Sequence, residues 1–418
     1  MALVGVCSLD ITPNHSVDLN GYILRFGKSQ GIHDSLTANF FFVESERKKM
    51  LLISLDILTI SLETATKLRN EISIQYGIEK GAIIIAAIHT HSAVGAPYLR
   101  NVGEESKEWL NYFEKQIIEG CRIVYNNKTE CELFSYEAYS SVGINRRNSS
   151  RGIDPFAPFI VARKDSEIIS CVINYNCHAV CLTESNLEIS ADYIFYLRKY
   201  IYDKLDQQFP ILFFNGGSGD IDPKQRGSFK DAEYTGNKLA EEILLNYRVH
   251  PGIKLEPIIN YSTIPLKIPY DWHPNIEDAE KNLIKYSKNF DEAKSKEEKK
   301  IAGAFLQWAN DVYNLAKKGS LPDSLNIQIT SLNLGQAMFI TVPLEIFSSI
   351  SLKLRKFFGN HFLFVISYGN GYAGYLSDKV AHYEGGYEID DWHKYAGILP
   401  KVPYIEDLFW EAIKKLIR

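Results

Sequence analysis

The sequence predicts an α/β fold: a single large domain with a mixed central sheet flanked by helices and a helical-hairpin excursion near 275–319. Three observations predict it. Short, continuous apolar runs alternate with amphipathic stretches along most of the chain, the rhythm of strand and helix in α/β proteins. No internal repeat, low-complexity tract or long Pro/Gly/Ser-rich linker divides the 418 residues. The composition, 45% hydrophobic and 23% charged, is that of a globular chain large enough to bury a substantial core.

Taken in order, Met50-Leu51-Leu52-Ile53-Ser54-Leu55 reads as a buried strand. Ser61 then caps a helix whose apolar positions Leu68, Ile72 and Tyr76 recur four apart. Ile83-Ile84-Ile85-Ala86-Ala87-Ile88 is the next buried strand, and a helix follows from about Ser106 with Trp109, Tyr112, Phe113, Ile117 and Cys121 on one face. Cys171-Val172-Ile173-Asn174-Tyr175 and Ile211-Leu212-Phe213-Phe214 resume the strand pattern. Around the charge run 291–300, Ile276, Leu283, Tyr286, Ile301, Phe305, Trp308 and Val312 recur at helical spacing, which predicts a hairpin packed on the sheet. Met338-Phe339-Ile340-Thr341-Val342 and Phe362-Leu363-Phe364-Val365-Ile366 are two further strands, and an amphipathic helix near 405–417 closes the chain.

With 46 basic and 51 acidic residues the net charge is −5, which argues against nucleic acid as a main partner. Met1 to Asp10 carries no basic n-region and no apolar run of signal-peptide length, and no stretch reaches the ~18–20 apolar residues of a membrane span. The expectation is a cytoplasmic chain. Six cysteines without a Cys-x-x-Cys pair read as reduced, mostly buried thiols, with Cys177 and Cys181, which flank His178, open to a second reading as metal ligands. The oligomeric state is not legible.

Polar residues directly after apolar strands are the informative ones, because strand ends in α/β folds open into the crevice where ligands bind. His89-Thr90-His91-Ser92 follows one strand, and on extended backbone both histidines would project to the same side. Another strand delivers His178, and a third delivers Glu345. Two imidazoles and a carboxylate are a donor set suited to zinc with one position left open. Each residue also has a plainer reading: hydrogen-bonded or surface histidines at 89 and 91, a satisfied core histidine at 178, a helix-start charge at Glu345. Asn215-Gly216-Gly217-Ser218-Gly219-Asp220 lacks both the Gly-Lys-Ser/Thr of a phosphate loop and a full Gly-x-Ser-x-Gly, so it is expected as a tight turn at the rim of a site. Asn370-Gly371-Tyr372-Ala373-Gly374-Tyr375 and Gly385-Gly386-Tyr387-Glu388 crowd tyrosines around flexible backbone.

Taken together, the segments resemble the neutral ceramidase family, the catalytic region of the neutral/alkaline non-lysosomal ceramidases and their bacterial relatives. The matching stretches are Asp10-Ile11-Thr12-Pro13 with Asn20-Gly21-Tyr22; Ile32-His33-Asp34; Ser54-Leu55-Asp56; His89 to Ser92; Asn145-Arg146; Cys177-His178; Ser190-Ala191-Asp192-Tyr193; Gly219-Asp220-Ile221-Asp222-Pro223; Val342-Pro343-Leu344-Glu345; and the two tyrosine segments. They run in the family's order over about residues 5–390. The resemblance implies a zinc ion held by His89, His178, Glu345 and Tyr375, and places His91, Arg146 and Tyr387 around a scissile amide. It implies a zinc-activated water that attacks an N-acyl amide, ceramide-like by default, with Arg146 and Tyr387 stabilising the oxyanion and His91 moving a proton.

Two departures bear on the substrate. Asp222 stands where characterised ceramidases carry a serine, so a substrate contact expected there falls to a carboxylate. The expected domain is residues 1–418, without the C-terminal immunoglobulin-like domain of the full-length enzymes. Small soluble N-acyl compounds such as N-acetyl amino sugars are therefore an alternative to lipid. A serine esterase centred on Ser218 and a non-catalytic binding relative are the competing functions.

Overall fold

The computed structural model describes residues 1–46, 48–95, 99–165, 167–359 and 362–416. Its main sheet runs, strand by neighbouring strand, Ile211–Asn215, Glu167–Tyr175, Phe156–Lys164, Lys128–Tyr139, Ala2–Asp10, Thr37–Ser45, Lys48–Leu55, Ile83–Ala87, and the short Ile253–Lys254 pairs with Lys128–Tyr139. The pairs are antiparallel in the middle and parallel at both ends, where Ile211–Asn215 lies along Glu167–Tyr175 and Ile83–Ala87 along Lys48–Leu55. This is the expected mixed sheet in a single large domain. Every residue of Ile83–Ala87 and of Ile211–Asn215 is buried, which explains why these strands read as continuous apolar runs rather than as alternations.

A second, four-stranded sheet has the order Ile259–Pro269, Ser324–Leu334, Ala337–Thr341, Phe362–Ile366, with the last pair parallel. The expected hairpin is present as helices Ile276–Glu292 and Lys296–Lys317; Ser295 and Glu298 form a reciprocal capping box that starts the second. The hairpin's apolar stripe, including Tyr286, Trp308 and Val312, packs with Tyr270 and Leu399. Helix Leu62–Tyr76 begins at the cap Ser61, as expected, and stops at Gly77 in a left-handed conformation. The closing helix spans Ile405–Leu416; residue 417 lies outside the described residues.

Several elements were not singled out by periodicity. Strand Lys128–Tyr139 buries only part of its residues, and helices Tyr193–Leu205 and Phe229–Val249 bury one narrow stripe each against one another and the main sheet. One buried ion pair ties this layer down: Arg198 reaches both carboxylate oxygens of Asp56 at 2.6 and 3.0 Å. All six cysteines are free, and all but Cys7 are buried. Among the described residues no helix is long and apolar enough to cross a membrane.

The carboxyl ends of the parallel strands converge. Asn215, at the end of its strand, donates from Nδ2 to the carbonyl of Ile88 at 2.7 Å, drawing the two edges of the main sheet together. The segment after Phe362–Ile366 bonds to both, through Ser367 N to Asn215 O at 2.9 Å and Asn370 N to Ile85 O at 2.7 Å.

Candidate metal centre

Four strand ends supply the centre. After Ile83–Ala87 the chain turns at His89, which has φ of 64°, a left-handed conformation that non-glycine residues rarely adopt. The two histidines of His-Thr-His therefore do not project together by alternation along extended backbone, as expected from sequence. The turn does it instead: their Nε2 atoms lie 3.2 Å apart. Tyr368 (φ 57°) and Asn370 (φ 61°) share the left-handed conformation, so three of the chain's strained non-glycine residues border one site.

His89 faces the Leu58 carbonyl with Nδ1 at 2.8 Å, and His178 faces the Ile221 carbonyl with Nδ1 at 3.1 Å. A carbonyl only accepts, so each Nδ1 carries the proton and each Nε2 presents a lone pair. Both lone pairs point at Glu345: its Oε2 is 3.1 Å from His178 Nε2 and 3.8 Å from His89 Nε2. Glu345 is 1% exposed, and its backbone is fixed by pairing of the strand Glu345–Ile346 with Tyr375–Leu376. The hydroxyl of Tyr368 donates to Oε2 at 3.0 Å, and that of Tyr372 donates to Oε1.

The electrostatics agree with this geometry. Burial alone would raise the Glu345 carboxyl, but the neighbouring His89, the bond and charge of His178 and the Tyr372 hydroxyl outweigh it and hold it at about 2. Burial lowers His89 to about 4 against the pull of Glu345. His91 is pushed well below the usual histidine range by burial and then by His89, His178, Arg25 and Arg146. At neutral pH the pocket thus gathers imidazole lone pairs and a carboxylate with too few protons between them, an arrangement that a cation completes.

The fit is also metrical. Zinc bonds of ~2.0–2.1 Å in a tetrahedron imply donor-to-donor edges of roughly 3.3 Å, and the observed 3.1 and 3.8 Å bracket that value. The donor nitrogens of His89, His91 and His178 lie within 4.8 Å of one another, so this imidazole triad, buried at His89 and His178 and half-buried at His91, can hold a metal ion. His91 keeps Nδ1 buried without a partner. Its packing depends on Gly21, where a Cβ would lie 2.5 Å from the ring and where φ is +111°.

The remaining sequence candidates form a charged ring above this pocket. The strand Gly143–Asn145 pairs with Ile221–Pro223 and delivers Arg146, whose Nη2 donates to Gly219 O at 2.9 Å and to the Tyr375 hydroxyl at 3.2 Å. Its Nε donates to Glu388 at 3.0 Å, and Nη1 meets Asp222 at 3.4 Å. Asp222 also accepts from Arg226, and Glu388 from Arg147 at 2.5 Å. Tyr387 is 46% exposed, with its ring 6.3 Å from that of Tyr375. Tyr375 is thus placed on Arg146, while Tyr372 and Tyr368 occupy Glu345. Beside this ring opens a cavity of about 600 Å³ walled by Arg146, Arg147, Asn148, Glu384, Tyr387 and Glu388.

Sequence reasoning did not select Tyr368, Tyr372, Glu388, Arg147 or Arg226. Tyr372 and Glu388 stood inside the quoted motifs; Tyr368 had no signal of its own. The glycine-rich segment 215–220 is a correction: each of its residues is buried, so it is the floor of the site and not its rim. Ser218 is fully buried there, and its hydroxyl meets the Tyr368 hydroxyl at 3.4 Å, which removes the exposed nucleophile that a serine esterase requires. Cys177 lies with its thiol toward the His178 carbonyl at 3.7 Å, and burial pushes it well above the usual thiol range, the behaviour of a core thiol.

Strand ends converging on a buried histidine–carboxylate cluster define an α/β protein with a candidate metal centre. Its fold is that of neutral ceramidase. The structure of neutral ceramidase from Pseudomonas aeruginosa superposes with a TM-score of 0.76 at 17% identity, covering 99% of this chain and 74% of that one. A structure of ceramidase complexed with C2 gives a TM-score of 0.77 at 15% identity, again over 99% of this chain and 74% of the other. No family model and no curated protein matches the sequence.

Proposed function

We propose that this chain is a zinc-dependent amidohydrolase of the neutral ceramidase family, cleaving an N-acyl substrate into a free amine and a carboxylate, with residues 1–418 as its catalytic domain. The observation that carries the proposal is the meeting of two fixed imidazole lone pairs, on His89 and His178, with the ionised Glu345. These three would hold the ion, with Tyr375 as the fourth donor implied by the resemblance. Bound there, zinc supplies Lewis acidity toward an amide carbonyl and makes water nucleophilic near neutral pH.

The chain's own residues supply the rest. Arg146 joins the centre to the cavity, since it touches the Tyr375 hydroxyl on one side and lines the cavity on the other. An amide oxygen entering by that cavity meets its positive charge, and Tyr387 offers a hydroxyl on the same wall. His91, with Nδ1 unpartnered, is placed to pass a proton to a departing amine, and its low proton affinity makes it a ready donor once protonated.

One observation favours a small polar substrate over a lipid. The cavity wall is built from Arg146, Arg147, Asn148, Glu384 and Glu388 beside the single aromatic Tyr387. A wall of this kind suits an N-acyl amino acid or an N-acetyl amino sugar better than a long acyl chain, which needs apolar lining. Asp222, held between Arg146 and Arg226, carries the substrate contact in this reading.

The test is amine release by the purified, zinc-loaded protein across ceramides, N-acyl amino acids and N-acetyl amino sugars, beside a chelated control. Chelator-sensitive release from any member supports the chemistry, and the member cleaved decides between lipid and polar substrate. Binding of these compounds without release from any of them would overturn hydrolysis and leave a non-catalytic relative.

A further inference from the structure

Away from the metal centre, a cavity of about 550 Å³ opens between helix Leu62–Tyr76 and the paired strands Ile259–Pro269 and Ser324–Leu334. Arg69, Asn70, Lys80, Asn326, Gln328 and Thr330 line it, and among the described residues no acidic side chain does. Its size is that of a small-molecule site.

Arg69 sets this cavity apart. The residue is 8% exposed, yet its guanidinium makes one protein hydrogen bond among the described residues, from Nη2 to the Lys80 carbonyl at 2.6 Å. Its Nε is buried without a partner, and no carboxylate pairs with it among the described residues. Arg25, also buried and also with an unpartnered Nε, and Arg198 and the half-buried Arg355 are each better satisfied at their other guanidinium nitrogens. Arg198 is clamped by Asp56, Arg355 by Asp154, and Arg25, though without a carboxylate, donates to four backbone carbonyls. A buried cation with neither a counter-ion nor a full set of acceptors is costly to maintain for packing alone. Burial lowers Arg69 only to about 10, so it stays charged at neutral pH.

We propose that this cavity is a binding site for a small phosphate monoester, whose oxyanion is taken by Arg69 and Lys80 and whose hydroxyl groups meet Asn70, Asn326, Gln328 and Thr330. A guanidinium offers the forked donors that a phosphate oxygen pair accepts, and Lys80 adds a second positive charge at the exposed edge. The neutral amides and hydroxyl suit the hydroxyl groups of the ester's body, and Leu62, Pro265, Ile327 and Pro343 offer apolar wall to its carbon face. The site does not depend on the hydrolytic reading. It does touch the metal centre's supports: Pro343 and Asn370 line it, two residues before Glu345 and Tyr372 respectively.

Calorimetric titration of the full chain with glucose 6-phosphate, inorganic phosphate and glucose tests this. The expected result is saturable binding of the ester, weaker binding of phosphate and none of glucose. Arg69→Met should weaken the ester about tenfold, the usual loss for a charged hydrogen-bonded contact. Lys80→Ala, at an exposed position, should weaken it several-fold while leaving the unliganded melting temperature and the basal activity unchanged. That variant keeps the test decisive if Arg69→Met does not fold. Failure of both phosphate compounds to bind, binding of glucose as tight as that of its phosphate, or ester binding unaltered by Lys80→Ala would overturn the proposal.

Discussion

The pocket around Glu345 and the ring around Arg146 lie against each other and are built on opposite principles. In the ring every charge meets its opposite: Arg226, Asp222, Arg146, Glu388 and Arg147 alternate in sign along a chain of contacts. In the pocket, acceptors meet acceptors, with two imidazole lone pairs set on a carboxylate. A balanced network holds its shape without a ligand, whereas an unbalanced one is complete only with a cation in place. Under the proposed function the difference assigns metal binding to the pocket and substrate contact to the ring, and it yields predictions of unequal size.

The largest effect is expected inside the pocket. His89→Ala removes one of the two fixed lone pairs and should abolish both bound metal and hydrolysis, read by elemental analysis and amine release. Because a ligand that binds only the folded state stabilises it, chelation should lower the melting temperature of the wild type but leave that of His89→Ala unchanged. Full metal occupancy in the variant would merge the pocket with its surroundings and break the comparison.

In the ring, Arg146→Ala should retain the metal and lose turnover by about 2–4 kcal/mol in kcat/KM, the range for losing an oxyanion donor. Metal loss in this variant would mean that the ring holds the ion indirectly, through Tyr375. Between the two regions stands Tyr372→Phe, which strips a hydroxyl from Oε1 of Glu345 without removing a donor to the ion. Groups that orient a metal ligand typically change affinity by ~10–100-fold, so weaker metal binding is expected, with kcat nearly restored at saturating zinc. A kcat that stays depressed at full occupancy would instead give Tyr372 a part in the reaction.

How much of this was legible in the sequence follows the same division. The strands that end at the site are buried on both faces and read as continuous apolar runs, so Ile83–Ala87 and Phe362–Ile366 stood out. Helix Tyr193–Leu205 and strand Lys128–Tyr139 are half-buried, with patterns diluted by exposed polar positions, and they did not. His89, His178 and Glu345 were accessible because each follows such a strand. Tyr368 was not: it reaches Glu345 only through a left-handed backbone turn, which no residue type there announces. The salt-bridge ring is assembled from residues up to 242 apart in sequence, and charge pairing at that separation leaves no local trace.

The smallest expected effect tests whether burial alone could explain the pocket. Asp192 is as buried as Glu345, yet it accepts backbone N–H bonds from Cys181, Leu182 and Tyr193, and no cation pairs with it among the described residues. The two carboxyls shift in opposite directions: burial dominates at Asp192 and raises it to about 6, whereas the histidines and tyrosine hold Glu345 at about 2. A carboxyl raised on folding binds its proton more tightly in the native state. Its contribution to stability is therefore fully present below the ordinary value near 4 and is lost as pH rises through about 6. Asp192→Asn keeps one acceptor oxygen, enough for the Cys181 and Tyr193 amides, and gives up the bond from Leu182, so it should fold with a lower stability at all pH values, bind metal and flatten that part of the stability–pH profile. An unchanged profile would show that the backbone donors already cancel burial at Asp192. The low value of Glu345 would then rest on its histidine and tyrosine neighbours and not on any general effect of burial, and the contrast between a carboxylate satisfied by the chain and one reserved for a cation would sharpen.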